Sequence, residues 1–210
     1  MIHDFRYVSK EEYGPERDKI EQLIRDVREE LREYFTFQHR FVGSTSRRMI
    51  TRDFKSNVGY DFDVNLFVND EEEEYSAGEI RDLFRNAINK HAYKYGYKNA
   101  EDSTRVLTIK VVNRSWSTIE HSCDFAIVFD CEDGRQQYIR FNKNQGSYTW
   151  EYQPKGFYGL SDKIDELKKA GLWQIVRDKY IENKNNNSDP NKKSRSIFAE
   201  TVNQVYQFYL

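Results

Sequence analysis

Residues 60 to 68 alternate between apolar and polar side chains, which predicts a β-strand with one buried and one polar face. The buried set would be Phe62, Val64 and Leu66, and the polar set Asp61, Asp63 and Asn65. Carboxylates two positions apart on one face repel each other unless a cation lies between them, and Mg²⁺ binds such hard oxygen ligands together with substrate phosphates. The strand therefore indicates a metal site, although an edge strand with acidic side chains facing water has the same pattern.

A third carboxylate favours the metal-site interpretation. Asp124 lies inside the apolar, strand-like run from Cys123 to Phe129. An ionised carboxylate is costly to bury in such a run unless it is paired or binds a metal. His121 precedes it by three residues and offers a mixed histidine and carboxylate site as an alternative, but histidine suits softer ions than Mg²⁺.

The segment before the acidic strand has the composition of a phosphate site. A strand-like run from Phe37 to Val42 ends in Gly43-Ser44. A glycine that admits unusual backbone angles, beside free N–H groups and a hydroxyl, can cradle a phosphate oxygen. The polar connection from Thr45 to Tyr60 follows, and it has an excess of basic residues that includes Arg47. Long connections in compact domains are often functional.

Composition excludes several functional classes. The 210 residues are 38% hydrophobic and 32% charged, enough for one well-packed domain with a helical annex. A net charge of -2 provides no basic field, so a long nucleic-acid duplex is not an expected partner. No apolar run approaches the roughly 18 residues of a membrane span, and we expect no membrane partner. The cysteines, Cys123 and Cys131, are expected to be reduced thiols, which indicates a cytoplasmic protein.

Periodicity along the chain predicts an α+β fold. We expect a core at residues 1–158, which begins with a long helix, and a C-terminal helical part at residues 159–210 packed on it. The acidic run from Asp70 to Glu74 is expected to be a solvated loop. The predicted helices are 16–35, 77–95, one or two from about 160 to 180, and 196–210; the predicted strands are 37–42, 60–68, 104–112, 118–129, 137–141 and 148–154.

Gly43-Ser44, Asp61-Phe62-Asp63 and Asp124, placed after an N-terminal helix, resemble the motif of the DNA polymerase β-like nucleotidyltransferase superfamily. The resemblance implies a palm-like mixed β-sheet. It also implies that Gly43 and Ser44 hold a nucleoside triphosphate, and that Asp61, Asp63 and Asp124 bind two Mg²⁺ ions, for which Mn²⁺ can substitute. Two such ions would stabilise an in-line displacement at the α-phosphate.

Other segments are similar to the oligoadenylate synthase and bacterial cyclic-oligonucleotide synthase group. They are Trp150 to Pro154 after the third aspartate, Val176 to Tyr180, and Lys193 to Glu200. This resemblance implies that Lys179 and Ser196 contact the terminal phosphates. A lysine on an exposed helix face and a serine that caps a helix are the simpler interpretations of the same residues.

The expected activity is therefore transfer of a nucleoside monophosphate from an NTP to a hydroxyl acceptor, with oligonucleotides or cyclic nucleotides as products. Arg47 would neutralise phosphate charge. One alternative is a catalytically idle module that binds a nucleotide or a partner, as in a toxin and antitoxin pair, because a fold does not determine a function. A second alternative is the same nucleotidyl transfer with a protein, a tRNA or a small molecule as the acceptor.

Overall fold

A mixed β-sheet organises the computed structural model, which describes residues 3–70, 74–113, 115–154, 156–157 and 159–210. Helices lie at both ends of the chain and between the strands, so the predicted α+β class is confirmed. The elements in chain order are β1 (Phe5–Tyr7), α1 (Lys10–Leu31), β2 (Thr36–Val42), α2 (Gly43–Ser46), β3 (Thr51–Asp53), β4 (Tyr60–Asn69), α3 (Ala77–Ala92), a 3-10 turn (Tyr93–Tyr95), β5 (Glu101–Asp102), β6 (Leu107–Asn113), β7 (Thr118–Asp130), β8 (Gln136–Asn142), β9 (Ser147–Tyr152), α4 (Leu160–Lys169), α5 (Trp173–Asn186) and α6 (Ser194–Tyr209).

The larger sheet has the strand order β2, β4, β7, β6, β5, and β8 joins the C-terminal end of β7 and pairs with β9. β4 and β7 run parallel, whereas β2, β6 and β8 run antiparallel to their neighbours. A parallel pair requires a crossover connection. The segment between β4 and β7, which contains α3 and the hairpin strand β6, provides it.

Helices α1 and α3 pack against one face of this sheet and form the hydrophobic core with it. Tyr13 of α1 contacts Phe62 of β4 edge-on at 6.4 Å between ring centroids. Phe84 of α3 contacts Phe37 of β2 in the same way at 4.9 Å. The opposite face of β4 carries the polar set predicted from the alternation, because successive side chains of a strand point to opposite faces.

The first helix begins earlier than the sequence predicted. The helix was predicted at residues 16–35, directly after Gly14-Pro15, whose residue types are typical of a boundary. However, α1 starts at Lys10 and contains Pro15. Ser9 caps the helix by accepting a hydrogen bond from the Glu12 N–H, which satisfies one of the donors exposed at a helix start. The burial of Tyr13 then adds packing energy to this first turn.

The chain divides into two compact units. One comprises residues 8–50 and 57–153, with the larger sheet, α1 to α3 and the core; the other comprises residues 1–7, 51–56 and 154–210. The boundary predicted at residue 158 stays a prediction. The acidic loop lies partly outside the described residues, since Glu71, Glu72 and Glu73 are not among them.

In the second unit, β1 and β3 form a two-stranded antiparallel sheet, and α4, α5 and α6 pack together. Residues 45–60 are therefore not one irregular connection, as the sequence suggested. Asn185 of α5 accepts a hydrogen bond from the Phe5 N–H at 2.6 Å and donates one to the Phe5 carbonyl at 3.2 Å. These bonds explain why α5 continues to Asn186, beyond the end predicted at about residue 180. Within the described ranges, no helix combines the length and apolarity needed to cross a bilayer.

An ion pair between a fully buried arginine and a partly exposed aspartate connects α3 with the outer end of the larger sheet. The Arg81 side chain is fully buried and donates to Asp102 Oδ1 at 2.6 Å and to the carbonyls of Ser103 and Val106 at 3.0 and 2.8 Å. Asp102 also accepts hydrogen bonds from Arg85 and Tyr148. The guanidinium and the carboxylate are thus both well satisfied, which a buried pair requires.

Replacement of Asp102 by alanine should lower the free energy of unfolding by about 3–5 kcal/mol, because it leaves the buried Arg81 charge uncompensated. Asp82→Ala is the matched control, since its partner Arg85 is partly exposed and the loss should be below about 1 kcal/mol. Urea unfolding of the purified variants measures both values. Equal losses in the two variants would contradict the assigned role of the buried pair.

Candidate active site

Parallel pairing of β4 with β7 brings the three predicted carboxylates onto one face of the sheet. Asp63 lies directly opposite Asp124, and Asp61 lies opposite Ser122. Residues opposite one another in register point to the same face, and so do residues two apart on one strand. The side chains of Asp61, Asp63 and Asp124 therefore share the polar face, while Phe62 and Cys123 point into the core.

Two hydroxyl groups that the sequence did not single out hold the outer carboxylates. Thr108 of β6 lies opposite Asp124 and donates a hydrogen bond to its Oδ1 at 2.5 Å. Ser122 of β7 donates to Asp61 Oδ1. Strand alternation places these two hydroxyl groups beside the carboxylates only once the pairing of the strands is known. The sequence alone therefore contains no signal for their role.

Charge crowding and burial raise the pKa of the central carboxylate. The pKa of Asp63 rises to about 6 because the side chain is buried and because Asp124 and Asp61 are close, while the positive charge of Arg47 acts in the opposite direction. Burial also raises the pKa of Asp124, with a further contribution from Asp61, against the Thr108 hydrogen bond and the charge of Lys110. A bound cation would remove this repulsion.

The Gly43-Ser44 segment abuts the same carboxylates. It begins α2 directly after β2, and Val42 lies opposite Asp63 in the antiparallel ladder. Gly43 has a φ of +61°, and a Cβ atom at this position would lie 2.5 Å from Asp63 Oδ2. Any other residue would therefore combine backbone strain with a collision against a candidate metal ligand. The structure thus provides a steric explanation for glycine at position 43, a requirement that the sequence motif only suggested.

The donor set fits Mg²⁺, which prefers carboxylate oxygens. After burial, the charges of Asp124 and Asp61 also raise the pKa of Asp63, so the carboxylates lie near one another on this face. Nevertheless, in the part of the chain that the structure describes, no three acidic, histidine or cysteine side chains converge as a ready-made metal cluster. Thr108 and Ser122 each donate a hydrogen bond to one of the carboxylates, Asp124 and Asp61.

The other residues predicted to bind phosphate, Arg47, Lys179 and Ser196, lie in two different parts of the structure. Arg47 lies close enough to Asp63 to lower its pKa, which agrees with a place beside the carboxylates. Lys179 and Ser196 belong to the unit that contains α4 to α6. Lys179 pairs with Glu182 at 3.0 Å on α5. Ser196 does not cap its helix, because α6 begins at Ser194 with Lys193 as the capping residue. Contact of Lys179 and Ser196 with phosphates stays a prediction.

His121 is not part of the carboxylate site. It lies three residues before Asp124 and thus points to the opposite face of β7. The ring is buried, stacks on Tyr60 at 5.6 Å between centroids and contacts the Tyr97 hydroxyl at 3.2 Å. Burial lowers its pKa, as expected for a core histidine. The mixed histidine and carboxylate alternative is therefore wrong.

Solved structures of bacterial nucleotidyltransferases share this arrangement of strands and helices. GTP-bound DncV from Vibrio cholerae matches with a TM-score of 0.59 and 18% identity over 95% of this chain. The CdnE c-di-GMP synthase from Capnocytophaga granulosa matches with a TM-score of 0.58 and 16% identity over 94% of this chain. CdnG of Bradyrhizobium diazoefficiens, a CD-NTase in complex with GTP, matches with a TM-score of 0.52 and 12% identity over 74%.

The chain has the nucleotidyltransferase fold of these proteins. It spans 52% of the DncV chain, 61% of the CdnE chain and 42% of the CdnG chain. No family model and no curated protein matches the sequence. At these identities the similarity establishes the fold, and the predicted palm-like sheet is confirmed.

The raised pKa of Asp63 predicts a stability that depends on pH. Its folded value of about 6 lies above the value of 3.8 for an ordinary aspartate, so the folded state binds the proton more tightly. Stability should therefore be fully present below about pH 4 for this group and should fall as the pH rises through 6. Asp63→Asn should remove this dependence and raise the free energy of unfolding at pH 8 by up to about 3 kcal/mol.

Urea unfolding of the metal-free protein between pH 5 and 8 tests this expectation. Asp130→Asn is the control, because Asp130 lies at the exposed end of β7. The control should follow the wild-type pH profile. A destabilised Asp63→Asn variant at pH 8 would contradict the repulsion inferred from the site.

Proposed function

We propose that this protein is a Mg²⁺-dependent, template-independent nucleotidyltransferase that transfers a nucleoside monophosphate from an NTP to a hydroxyl acceptor. Oligonucleotides or cyclic nucleotides are the proposed products. The observation that supports the proposal is the parallel register that places Asp63 opposite Asp124, with Asp61 on the same face. Two of the similar proteins, DncV and CdnE, are a cyclic AMP-GMP synthase and a c-di-GMP synthase, which supports this chemistry.

Each group of the site has a proposed role. Asp61 and Asp63 would hold the metal and the NTP phosphates, and Asp124, fixed by Thr108, would face the attacking hydroxyl. Gly43 leaves room beside Asp63, so the Ser44 hydroxyl and the backbone can approach the triphosphate. Arg47 would reduce the negative charge of the phosphates. When bound, Mg²⁺ would supply the charge that stabilises both the attacking and the leaving oxygen.

The proposal includes a cytoplasmic location, where NTPs are available. Cys123 and Cys131 are free thiols in the structure, in agreement with the expectation from the sequence. The acceptor could equally be a protein, a tRNA or a small molecule without a change in the roles of the carboxylates. Product analysis decides between these acceptors.

Incubation of the protein with each labelled NTP and Mg²⁺ or Mn²⁺ should release pyrophosphate and give a product of altered mobility. Asp61→Asn, Asp63→Asn and Asp124→Asn should each lower the rate by about a hundredfold or more, as expected for loss of a charge-stabilising group. Asp130→Asn, on the same strand as Asp124, should retain wild-type activity. NTP binding without pyrophosphate release under any of these conditions would instead support the idle nucleotide-binding module.

Thr108 should act as a positioning residue for Asp124. Thr108→Val removes the hydroxyl with little change in shape and should lower the rate by about 10- to 100-fold, the usual cost of losing a group that orients a metal ligand. Thr108→Ser should restore most of the rate, because it retains the donor. A merely structural role predicts that both variants lose stability and activity together, so unfolding curves accompany the assay.

A further inference from the structure

A cavity of about 430 Å³ lies where α1, β2 and α2 meet. Its volume falls within the range of about 300–1,000 Å³ that is typical of small-molecule sites. Lys10, Arg17, Arg40 and Arg48 line it, together with a carboxylate, Glu21. The chain has a net charge of -2, so this local excess of positive charge is distinct from the average surface.

The cavity is separate from the carboxylate site. None of Asp61, Asp63 and Asp124 is among its lining residues. Phe41, which lines it, lies opposite Val64 in the ladder between β2 and β4. Val64 belongs to the buried set of β4, so Phe41 is on the face of the sheet opposite to the carboxylates.

Two buried polar atoms at this cavity have no hydrogen-bond partner among the described residues. One is the hydroxyl of Thr45, a residue that is only 7% exposed, and the other is Nε of Arg17. A buried donor or acceptor without a partner costs about 1–3 kcal/mol, and native structures contain few of them. Oxygen atoms of a ligand would satisfy both groups.

The guanidinium of Arg17 is already held in place. It lies 4.8 Å from the centroid of the Phe41 ring and donates from Nη2 to Glu21 Oε1 at 2.9 Å. A guanidinium fixed in this way loses little conformational entropy when it binds an anion. Burial and the neighbouring Arg28 lower the pKa of His39, another lining residue, which therefore adds no charge of its own at neutral pH.

We propose that this cavity binds a small polyanion that carries phosphate or carboxylate groups, with Arg17 and Thr45 as direct ligands. Lys10 and Arg48 supply the surrounding positive charge. The side chain of Arg40, which lies opposite Asn65, points to the other face of the sheet, and its guanidinium lies 5.1 Å from the centroid of the Phe67 ring. Thr45 belongs to α2, the same short helix as Gly43 and Ser44, so the ligand contacts the segment that abuts Asp63. The site does not depend on the proposed nucleotidyltransferase activity.

Thermal unfolding of the metal-free protein, from which the chelator has been removed by dialysis, tests the proposal with added pyrophosphate or citrate. Without a metal, Asp61, Asp63 and Asp124 repel anions, so the carboxylate site does not contribute to the shift. At about 100 times the dissociation constant, the anion should raise the Tm by about 5–10 °C. Arg17→Met should abolish most of this shift. Arg25→Met is the matched control, because Arg25 is an exposed residue of the same helix that does not line the cavity, and it should retain the shift. The anion with the larger shift identifies the preferred chemistry.

Thr45→Val provides a second, independent measurement. Without anion, its Tm should equal or exceed that of the wild type, because the variant removes an unsatisfied hydroxyl. With anion, its shift should be smaller than that of the wild type. The proposal is overturned if neither anion stabilises the protein, if Arg17→Met and Arg25→Met lose the shift equally, or if Thr45→Val keeps the full shift. Because no readout involves turnover, these outcomes are independent of the activity assay.

Discussion

The parallel pairing of β4 with β7 is the interaction on which the rest of the structure depends. Its register places Phe62 and Phe125 in the core, 0% and 1% exposed, and Asp63 opposite Asp124 on the other face. Burial of each phenylalanine contributes about 1.5–3 kcal/mol. Together they equal or exceed the cost of about 3 kcal/mol that corresponds to the raised pKa of Asp63, which comes first from its burial and then from the charges of Asp124 and Asp61. Hydrophobic burial therefore holds the carboxylates together in the absence of a cation.

Hydrophobic packing also opposes a shift in the register between β4 and β7. A shift of one residue in either strand would exchange its two faces, because side chains alternate with a period of two. Asp124 would then enter the core in place of Cys123, which is fully buried. Such a register would bury an ionised carboxylate without its Thr108 partner, at a cost of several kcal/mol. The geometry of the polar face is thus determined by packing on the opposite face.

The sequence predicted the carboxylates and their strands because alternation within one strand is a local property. Thr108 and Ser122 escaped prediction, since their roles depend on which distant strands pair and in which register. The three-residue strands β1 and β3 are too short to show a period, and only their pairing defines them. The start of α1 was misplaced because Gly14-Pro15 suggested a boundary, whereas the Ser9 cap and buried Tyr13 extend the helix beyond it.

Helix α2 lies between two regions of opposite charge. Gly43 at its start abuts Asp63, whereas Thr45 and Ser46 line the cavity that contains Arg17 and its basic neighbours. A four-residue helix has too few internal hydrogen bonds to be stable alone, so its conformation depends on the groups that contact it on either side. A ligand in the cavity would change binding at the sheet face only where both ligands distinguish between conformations of α2, and such a linkage would be reciprocal. The sheet face and the cavity therefore share one short backbone segment, with acidic groups at one end and basic groups at the other.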